Sequence, residues 1–444
     1  MSAKTALVLG AGRVARPCVQ YLLAKGHKVV LVDWSEENIN RVLMGHEAGI
    51  PVVADAVKDA ADLIQTYKPD VVICLLPGGL ITELAVICVE NSVSMVGATY
   101  ISETIHSLHE QATAKGISIL CELGLDPGID HMSAVMTIRE IHEAGGKVEG
   151  FWSVCGALPD LGSNTNPIGY KLSWAPQSLI GASIRTSKTM KDGEVVVLED
   201  GAVYQQATFH EVKGLGWFEV YANADSLPYI EAYGMPEVKN IFRGTFRHPG
   251  WCDMITQMQK LNLFDTDVKD YSGYTYAAVI REIIGSSDCV APLTQQVAKF
   301  LNLESYSLSI QQLEWLGLFE NKPLPFASGC LRDIVAALFD EKLQFTAGER
   351  DLIVMQHRYD VRYPDEEMKT HVSTLVVRGE VDGDTAIAVT TGVPVGIGAH
   401  LLLTGAISER GVLLPTSTDI TMPSLEELKD YGIVFSEEVI GHYG

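Results

Sequence analysis

The sequence predicts an α/β protein: a parallel sheet covered by helices at the N-terminus, an inserted α+β region, and a small helical subdomain. Three observations carry the prediction. The chain opens on an unbroken apolar run, Leu7 to Leu9, which meets Gly10, Ala11 and Gly12 and then takes helical spacing at Cys18, Val19, Leu22 and Leu23. A second apolar run, Lys28 to Val32, ends in the acid Asp33, roughly 20 residues downstream. Short apolar strands and amphipathic helices then alternate as far as Cys121, as in a sheet buried on both faces.

Strand, glycine turn and helix, in that order, are the phosphate-binding entry of a Rossmann dinucleotide domain. Gly10 permits the tight turn, Gly12 removes the Cβ that would hold backbone away from a pyrophosphate, and Ala15 takes the close-packing third position of G-x-G-x-x-G/A. Arg13 and Val14 complete the loop. The phosphates would rest on the unpaired N–H groups at the helix start, where the dipole favours an anion. Glycines alone also fit a phosphate-free turn. Asp33, placed to bond a ribose 2′-hydroxyl and to repel a 2′-phosphate, favours the dinucleotide and points to NAD(H).

After Asp33 the spacing predicts a helix over 36–46, a strand over 51–54, a helix over 56–67 and a continuous apolar strand over 71–76. Pro77, Gly78 and Gly79 stop that strand in a loop. A helix over 80–91, a strand over 93–96, a helix over 103–115 and a strand over 117–121 follow. Ligands of such sheets lie beyond the carboxyl ends of the strands. That rule gathers Leu75, Leu76, Pro77, Ala98, Thr99, Tyr100 and the stretch from Glu122 to Asp126 around one crevice.

The next stretch, ELGLDPGIDH from Glu122 to His131, leads into a helix over 132–144. Asp126 is placed to accept a hydrogen bond from a substrate amine, and Pro127 and Gly128 to present backbone N–H groups to a nicotinamide or carboxylate. Asp130 reads as a helix cap and His131 as a satisfied, half-buried residue.

Past Gly146 short strands predominate: 148–155, 194–198, 201–204 and 219–222. In the segment 238–251, a strand would put Arg243, Thr245 and Arg247 on one face, disposed either to grip carboxylates or to form a solvated salt-bridging surface. Residues 252–340 are mainly helical, 349–359 and 369–379 return to strand, and 389–403 reads as a strand turning into a close-packed helix. The acidic segment 424–434 closes the fold. The resulting division is 1–128 completed by about 391–444, then 129–250 with 341–390, then 251–340.

With 47% hydrophobic and 20% charged residues, the composition is that of a soluble globular protein. No apolar run reaches the roughly 18 residues that span a bilayer. The net charge of −23 opposes nucleic-acid and anionic-membrane partners and leaves small molecules as the expected ones. Cys18, Cys74, Cys88, Cys121, Cys155, Cys252, Cys289 and Cys330 show neither a C-x-x-C pair nor zinc-site spacing, so no metal is expected. A reducing compartment and a cytoplasmic location fit thiols of this kind and the absence of a targeting segment.

These segments together resemble the saccharopine reductases, the glutamate-forming saccharopine dehydrogenases of lysine metabolism. The likeness rests on the GxGxxA opening, Tyr100-Ile101-Ser102, ELGLDPGIDH, AGGKV, Cys155-Gly156 with Leu158-Pro159, NPIGYKLSW from Asn166 to Trp174, Arg243-Gly244-Thr245, ERDLIVMQH, Ser373-Thr374-Leu375 and GVLLP from Gly411 to Pro415. The resemblance implies a Rossmann domain completed by the C-terminal segment, an inserted domain that forms a homodimer, and NADP(H) as cofactor. It also implies the interconversion of saccharopine with glutamate and 2-aminoadipate 6-semialdehyde. Carried onto this chain, the substrate positions are Thr99, Tyr100, Asp126, Thr245, Phe246 and Arg247, with Trp174 and Cys155 nearby. Asp126 and Cys155 are the candidates at the reacting centre. Nothing beside Cys155 in sequence would activate it, which favours a pocket-lining role. Gly10, Gly12, Arg13, Val14, Asp33, Leu76, Pro77, Asp126, Pro127 and Gly128 fall to the cofactor.

Two positions depart from the family pattern. Ala224 stands where the family carries an arginine that grips a substrate carboxylate, and Asp33 stands where its NADP-using members tend to carry arginine. Ala224 keeps a related opine-like or carboxylated-polyamine dehydrogenase in play. A non-catalytic dinucleotide sensor is the other alternative, distinguished by binding without turnover.

Overall fold

The computed structural model describes residues 3–441 apart from 175, 183, 200, 289 and 366; the expectation for Cys289 lies outside the described residues. The chain divides into two compact units, Met1–Glu149 with Tyr229–Glu237 and Tyr359–Gly444, and Gly150–Pro228 with Val238–Arg358. This differs from the three-part division expected from the sequence. The helical stretch within 251–340 shares one apolar core with Ile168, Tyr170, Leu172 and Tyr221 and so does not stand apart, because its amphipathic helices have no other apolar surface to cover.

The first unit is built on seven parallel strands: β1 (Thr5–Leu9), β2 (Lys28–Asp33), β3 (Gly49–Val53), β4 (Val71–Cys74), β5 (Ser94–Gly97), β6 (Ser118–Leu120) and, from the far end of the chain, β17 (Gly411–Leu413). They lie in the order β17-β6-β5-β4-β1-β2-β3. The order reverses between β1 and β4, the switch point at which doubly wound sheets bind ligands. Val29 to Val32, Val71 to Ile73 and Leu7 to Leu9 are fully buried, as parallel strands covered on both faces require.

Several helices differ from the sequence expectation. The helix expected over 56–67 starts at Ala60, that over 36–46 ends at Leu43, and that over 103–115 is interrupted at Leu108. The expected strand-to-helix turn at 389–403 is one helix, Ala386–Thr404, with Pro394 inside it. By length and composition it is apolar enough to cross a membrane, contrary to the reading that no run was long enough, yet most of it is buried in the protein. Its glycines explain the close packing: a Cβ on Gly392 would collide with the Val14 carbonyl oxygen, and one on Gly396 would come within 2.9 Å of the Tyr21 ring.

The second unit holds a sheet in the order β10 (Thr208–Val212), β11 (Gly216–Ala222), β12 (Asn240–Arg247), β7 (Lys147–Pro159) and β15 (Asp351–Arg362). Beside β12 lie β8 (Ser187–Lys191) and then β9 (Glu194–Leu198), and β13 (Lys269–Asp270) pairs with β14 (Ser328–Gly329). The strand expected over 201–204 is a short 3-10 helix, Ala202–Gln206, entered through Gly201 at φ +77°. In the first unit β16 (Met368–Arg378) pairs antiparallel with β18 (Phe435–Gly441), a strand the sequence did not announce. The seven described cysteines are buried and free of disulfides; burial pushes the Cys74 thiol up to about 11 and the Cys18 thiol up to about 12.

Candidate active site

The glycine loop follows β1. Gly10 has φ +105°, and its N–H donates to the Val32 carbonyl at 2.9 Å. A Cβ there would lie 2.9 Å from Leu76 Cδ2 and 3.1 Å from the Leu75 oxygen, so the loops after β1 and β4 meet at a distance only glycine allows. Gly12 differs: a Cβ on it meets nothing within 4 Å, which leaves open space in front of the loop. Arg13 is exposed beside it and Val14 caps the helix Ala15–Ala24. Leu76 is half-buried and Pro77 exposed. At the end of β2, the Asp33 carboxylate accepts from the Ala11 N–H at 2.8 Å and the Ser35 N–H at 2.9 Å, which ties the acid to the glycine loop. Arg41 donates to the Ala11 carbonyl at 3.2 Å. Open space over a helix start, with an acid at the neighbouring strand end, fits a dinucleotide.

The second cluster of the first unit lies beyond β5 and β6. The Thr99 hydroxyl is buried with no protein partner, and a buried hydroxyl in that state is an unfilled contact. Tyr100 donates from its hydroxyl to Asp126 Oδ1 at 3.2 Å, and both residues are half-buried. The turn carrying Asp126 is closed by Gly124 N–H to the Pro127 carbonyl at 2.8 Å and contains a cis Asp126–Pro127 bond. Gly128 has φ +146°, and a Cβ on it would run into the backbone of Gly124. Asp130 does not cap the helix ahead as expected; its Oδ1 accepts from the Gly128 N–H at 2.6 Å and locks the turn. His131, expected half-buried, is 1% exposed, and the helix starts at Ile129 rather than 132.

In the second unit, Thr245, Phe246 and Arg247 end β12. Arg247 is buried, its guanidinium 5.1 Å from the Tyr170 ring centre, 5.3 Å from Trp251 and 5.8 Å from Tyr221. It donates to the Phe246 carbonyl at 2.9 Å, while its Nε has no partner. The acid directly across the ladder is Glu219. Its two oxygens are engaged elsewhere, accepting from Gly250 N–H at 2.8 Å and Cys252 N–H at 2.7 Å at the start of the helix Trp251–Lys260. Arg247 therefore keeps a buried positive charge with no carboxylate partner among the described residues. Such a charge costs several kcal/mol to bury, and the arrangement is that of a receptor for an anion.

Cys155 is buried on β7, opposite Thr245 in the register. The Trp174 indole donates to the Tyr170 hydroxyl at 2.8 Å and remains 40% exposed. Ala224 holds φ +53° and its carbonyl accepts from Lys188 N–H, so its backbone is structural and its side chain brings no charge. Glu122, which the sequence had placed at the crevice without a role, takes part in these constellations, as do Tyr233 and Glu219, which the sequence had not singled out. Glu122 had a visible signal, an acid at the end of a buried strand; Tyr233, more than 100 residues from its partner His131, had none.

A family model described as saccharopine dehydrogenase NADP binding domain matches residues 6–120, and one described as saccharopine dehydrogenase C-terminal domain matches residues 124–433. The saccharopine dehydrogenase (NADP(+), L-glutamate-forming) of Pyricularia oryzae is 33% identical across 99% of this chain and 100% of its own. That of Saccharomyces cerevisiae is 30% identical across 98% and 99%. The mitochondrial alpha-aminoadipic semialdehyde synthase of Bos taurus is 32% identical across 98% of this chain, which spans 48% of that protein. Among solved structures, the apo saccharopine dehydrogenase (L-Glu forming) from Saccharomyces cerevisiae matches with a TM-score of 0.88 and 29% identity, covering 99% of this chain and 100% of that one.

Proposed function

The chain belongs to the saccharopine dehydrogenase family, and from that premise we propose that it is a nicotinamide-dependent oxidoreductase interconverting saccharopine and water with glutamate and 2-aminoadipate 6-semialdehyde. The observation that carries the reading is the buried Arg247 without a counterion, because every partner in this reaction is an amino-acid carboxylate. In the reductive direction the glutamate amine condenses with the aldehyde, water leaves, and the imine carbon accepts a hydride. A bound nicotinamide cofactor supplies that hydride. Protonation of the imine nitrogen makes the carbon electrophilic enough to take the hydride, and the Asp126 carboxylate stabilises the positive charge at that nitrogen, oriented by the Tyr100 hydroxyl at 3.2 Å. The unpartnered Thr99 hydroxyl offers a further hydrogen bond. The family resemblance assigns Trp174, Phe246 and Cys155 to the substrate, and Cys155 is given no chemical step.

Asp33 supports a finer reading, that NAD(H) is used at least as well as NADP(H). Its carboxylate, held by Ala11 and Ser35, favours a ribose hydroxyl over a 2′-phosphate. Steady-state kinetics with both cofactors test this; a strong NADP(H) preference overturns it. Ala224 favours one second reading, a different amine and aldehyde pair on the same scaffold. Cofactor oxidation measured with glutamate plus the semialdehyde, against a panel of other amine and aldehyde pairs, decides between them. A cytoplasmic homodimer accompanies the proposal and is checked by sedimentation and fractionation.

A further inference from the structure

Behind the Asp126 turn lies a second set of buried polar side chains to which the chemistry above gives no part. Glu122 adopts φ +55°, a costly backbone for a non-glycine residue, and the residue is 6% exposed. Its Oε2 lies 2.9 Å from His131 Nε2, and His131 Nδ1 lies 2.6 Å from the Tyr233 hydroxyl. Tyr229 stacks on the His131 ring at 5.4 Å, and Asp130 Oδ2 stands 3.8 Å from Nδ1. The other oxygen of Glu122 accepts from the Ile101 N–H at 2.9 Å. These contacts fit an arrangement in which Tyr233 donates to Nδ1, Nε2–H donates to Glu122, and Ile101 N–H donates to Glu122.

A carboxylate, an imidazole and a phenol buried together are acceptable only when all are satisfied, and apolar residues would fill the same space at less cost. What these groups provide is a fixed anchor for the backbone at residue 101, one residue from Tyr100. We propose that Glu122, His131 and Tyr233 are positioning residues: they hold Tyr100, and through its hydroxyl the Asp126 carboxylate, in the geometry used at the substrate nitrogen. The role at the nitrogen rests on the function proposed above; the anchoring of residue 101 does not.

Three variants test it, Glu122→Ala, Glu122→Gln and Tyr233→Phe, each read by kinetics and by backbone amide exchange over residues 99–102. Glu122→Ala is expected to lower kcat about 10- to 100-fold, the scale of a misplaced reacting group, with the KM for reduced cofactor changed by less than about twofold. Glu122→Gln is expected to restore kcat to within about threefold of wild type. Its carbonyl can accept from Ile101 and its amide can donate to Nε2, while the ring takes the Nδ1–H tautomer and donates to Tyr233. Tyr233→Phe falls between the two. Exchange over 99–102 is expected to rise in Glu122→Ala and not in Glu122→Gln. The proposal is overturned if Glu122→Gln is as impaired as Glu122→Ala at equal Tm, or if Glu122→Ala keeps both wild-type kcat and wild-type exchange. Should Glu122→Ala fail to fold, a Tyr233→Phe with kcat and exchange unchanged overturns it equally. The exchange measurement needs no substrate, so a wild type inactive on glutamate and the semialdehyde refutes the proposed function while exchange still decides the anchor.

Discussion

Replacing Arg247 by Met separates the substrate role of this residue from any structural one, because the two move in opposite directions. Burial of its charge is opposed by several kcal/mol of lost hydration and is offset by three aromatic rings at 5.1–5.8 Å, each contributing about 1–2 kcal/mol when desolvated. These terms nearly cancel, and Met fills the same cage without a charge. The fold is therefore expected to change in stability by less than about 2 kcal/mol in either direction, the difference between those opposing terms. A charge-assisted hydrogen bond to a substrate carboxylate contributes about 1.5–3 kcal/mol, which converts to a fall of about 10- to 150-fold in kcat/KM for the amino-acid substrate. The assay is steady-state turnover at saturating cofactor beside thermal unfolding of the same sample. An unchanged KM for the amino acid refutes the anion-receptor reasoning. So does a collapse of the unfolding temperature, which would make Arg247 a structural group.

Gly128→Ala places a Cβ into the Gly124 backbone at φ +146°, and a loss on the order of 3 kcal/mol is expected in denaturant unfolding; a midpoint equal to wild type refutes the need for glycine there. Gly392→Ala presses the helix Ala386–Thr404 onto the Val14 carbonyl, an overpacking of about 1–3 kcal/mol beside the glycine loop. Weaker cofactor binding by calorimetry is expected, and an unchanged Kd shows that the loop is insulated from that helix. Glu349 carries the pH prediction. Burial alone would raise its carboxyl, but the Lys171 ammonium, with the Thr346 N–H and the Thr165 hydroxyl, holds it at about 2. A depressed folded value means its contribution is complete above the unfolded carboxylate value of about 4.3 and is lost as pH falls through about 2. Wild type and Glu349→Gln should therefore differ in stability near neutral pH and converge below about pH 2; a difference constant with pH contradicts the pairing.

The glycine loop was legible because its constraints are local. Gly10 and Gly12 lie in the short loop between Leu9, the end of the strand, and Ala15, the start of the helix, so turn, strand and helix appear as one contiguous pattern. Asp33 was legible for a related reason, since a strand of fixed rise carries it back to the level of the loop, where it meets the Ala11 N–H. The helix Ala386–Thr404 was misread because its glycines and Pro394 count against a helix locally, while the reason for them, close approach to Val14 and Tyr21, lies more than 370 residues away. Asp130 looked like a helix cap and instead turns back on Gly128, a choice between two acceptable hydrogen bonds that spacing cannot make.

By itself the sequence determined a Rossmann entry, an acid at its second strand and a short list of polar groups at strand ends, because each follows from the period of a strand or helix and the stereochemistry of glycine. Tertiary structure alone decided what those groups do. Arg247 became an unpaired buried cation only when Glu219, directly opposite on β11, spent its oxygens on the N–H groups of Gly250 and Cys252. His131 met Tyr233 only when the segment 229–237 returned to the first unit. Spacing along a chain sets which face a side chain takes; only the folded chain sets which of several competing partners it meets.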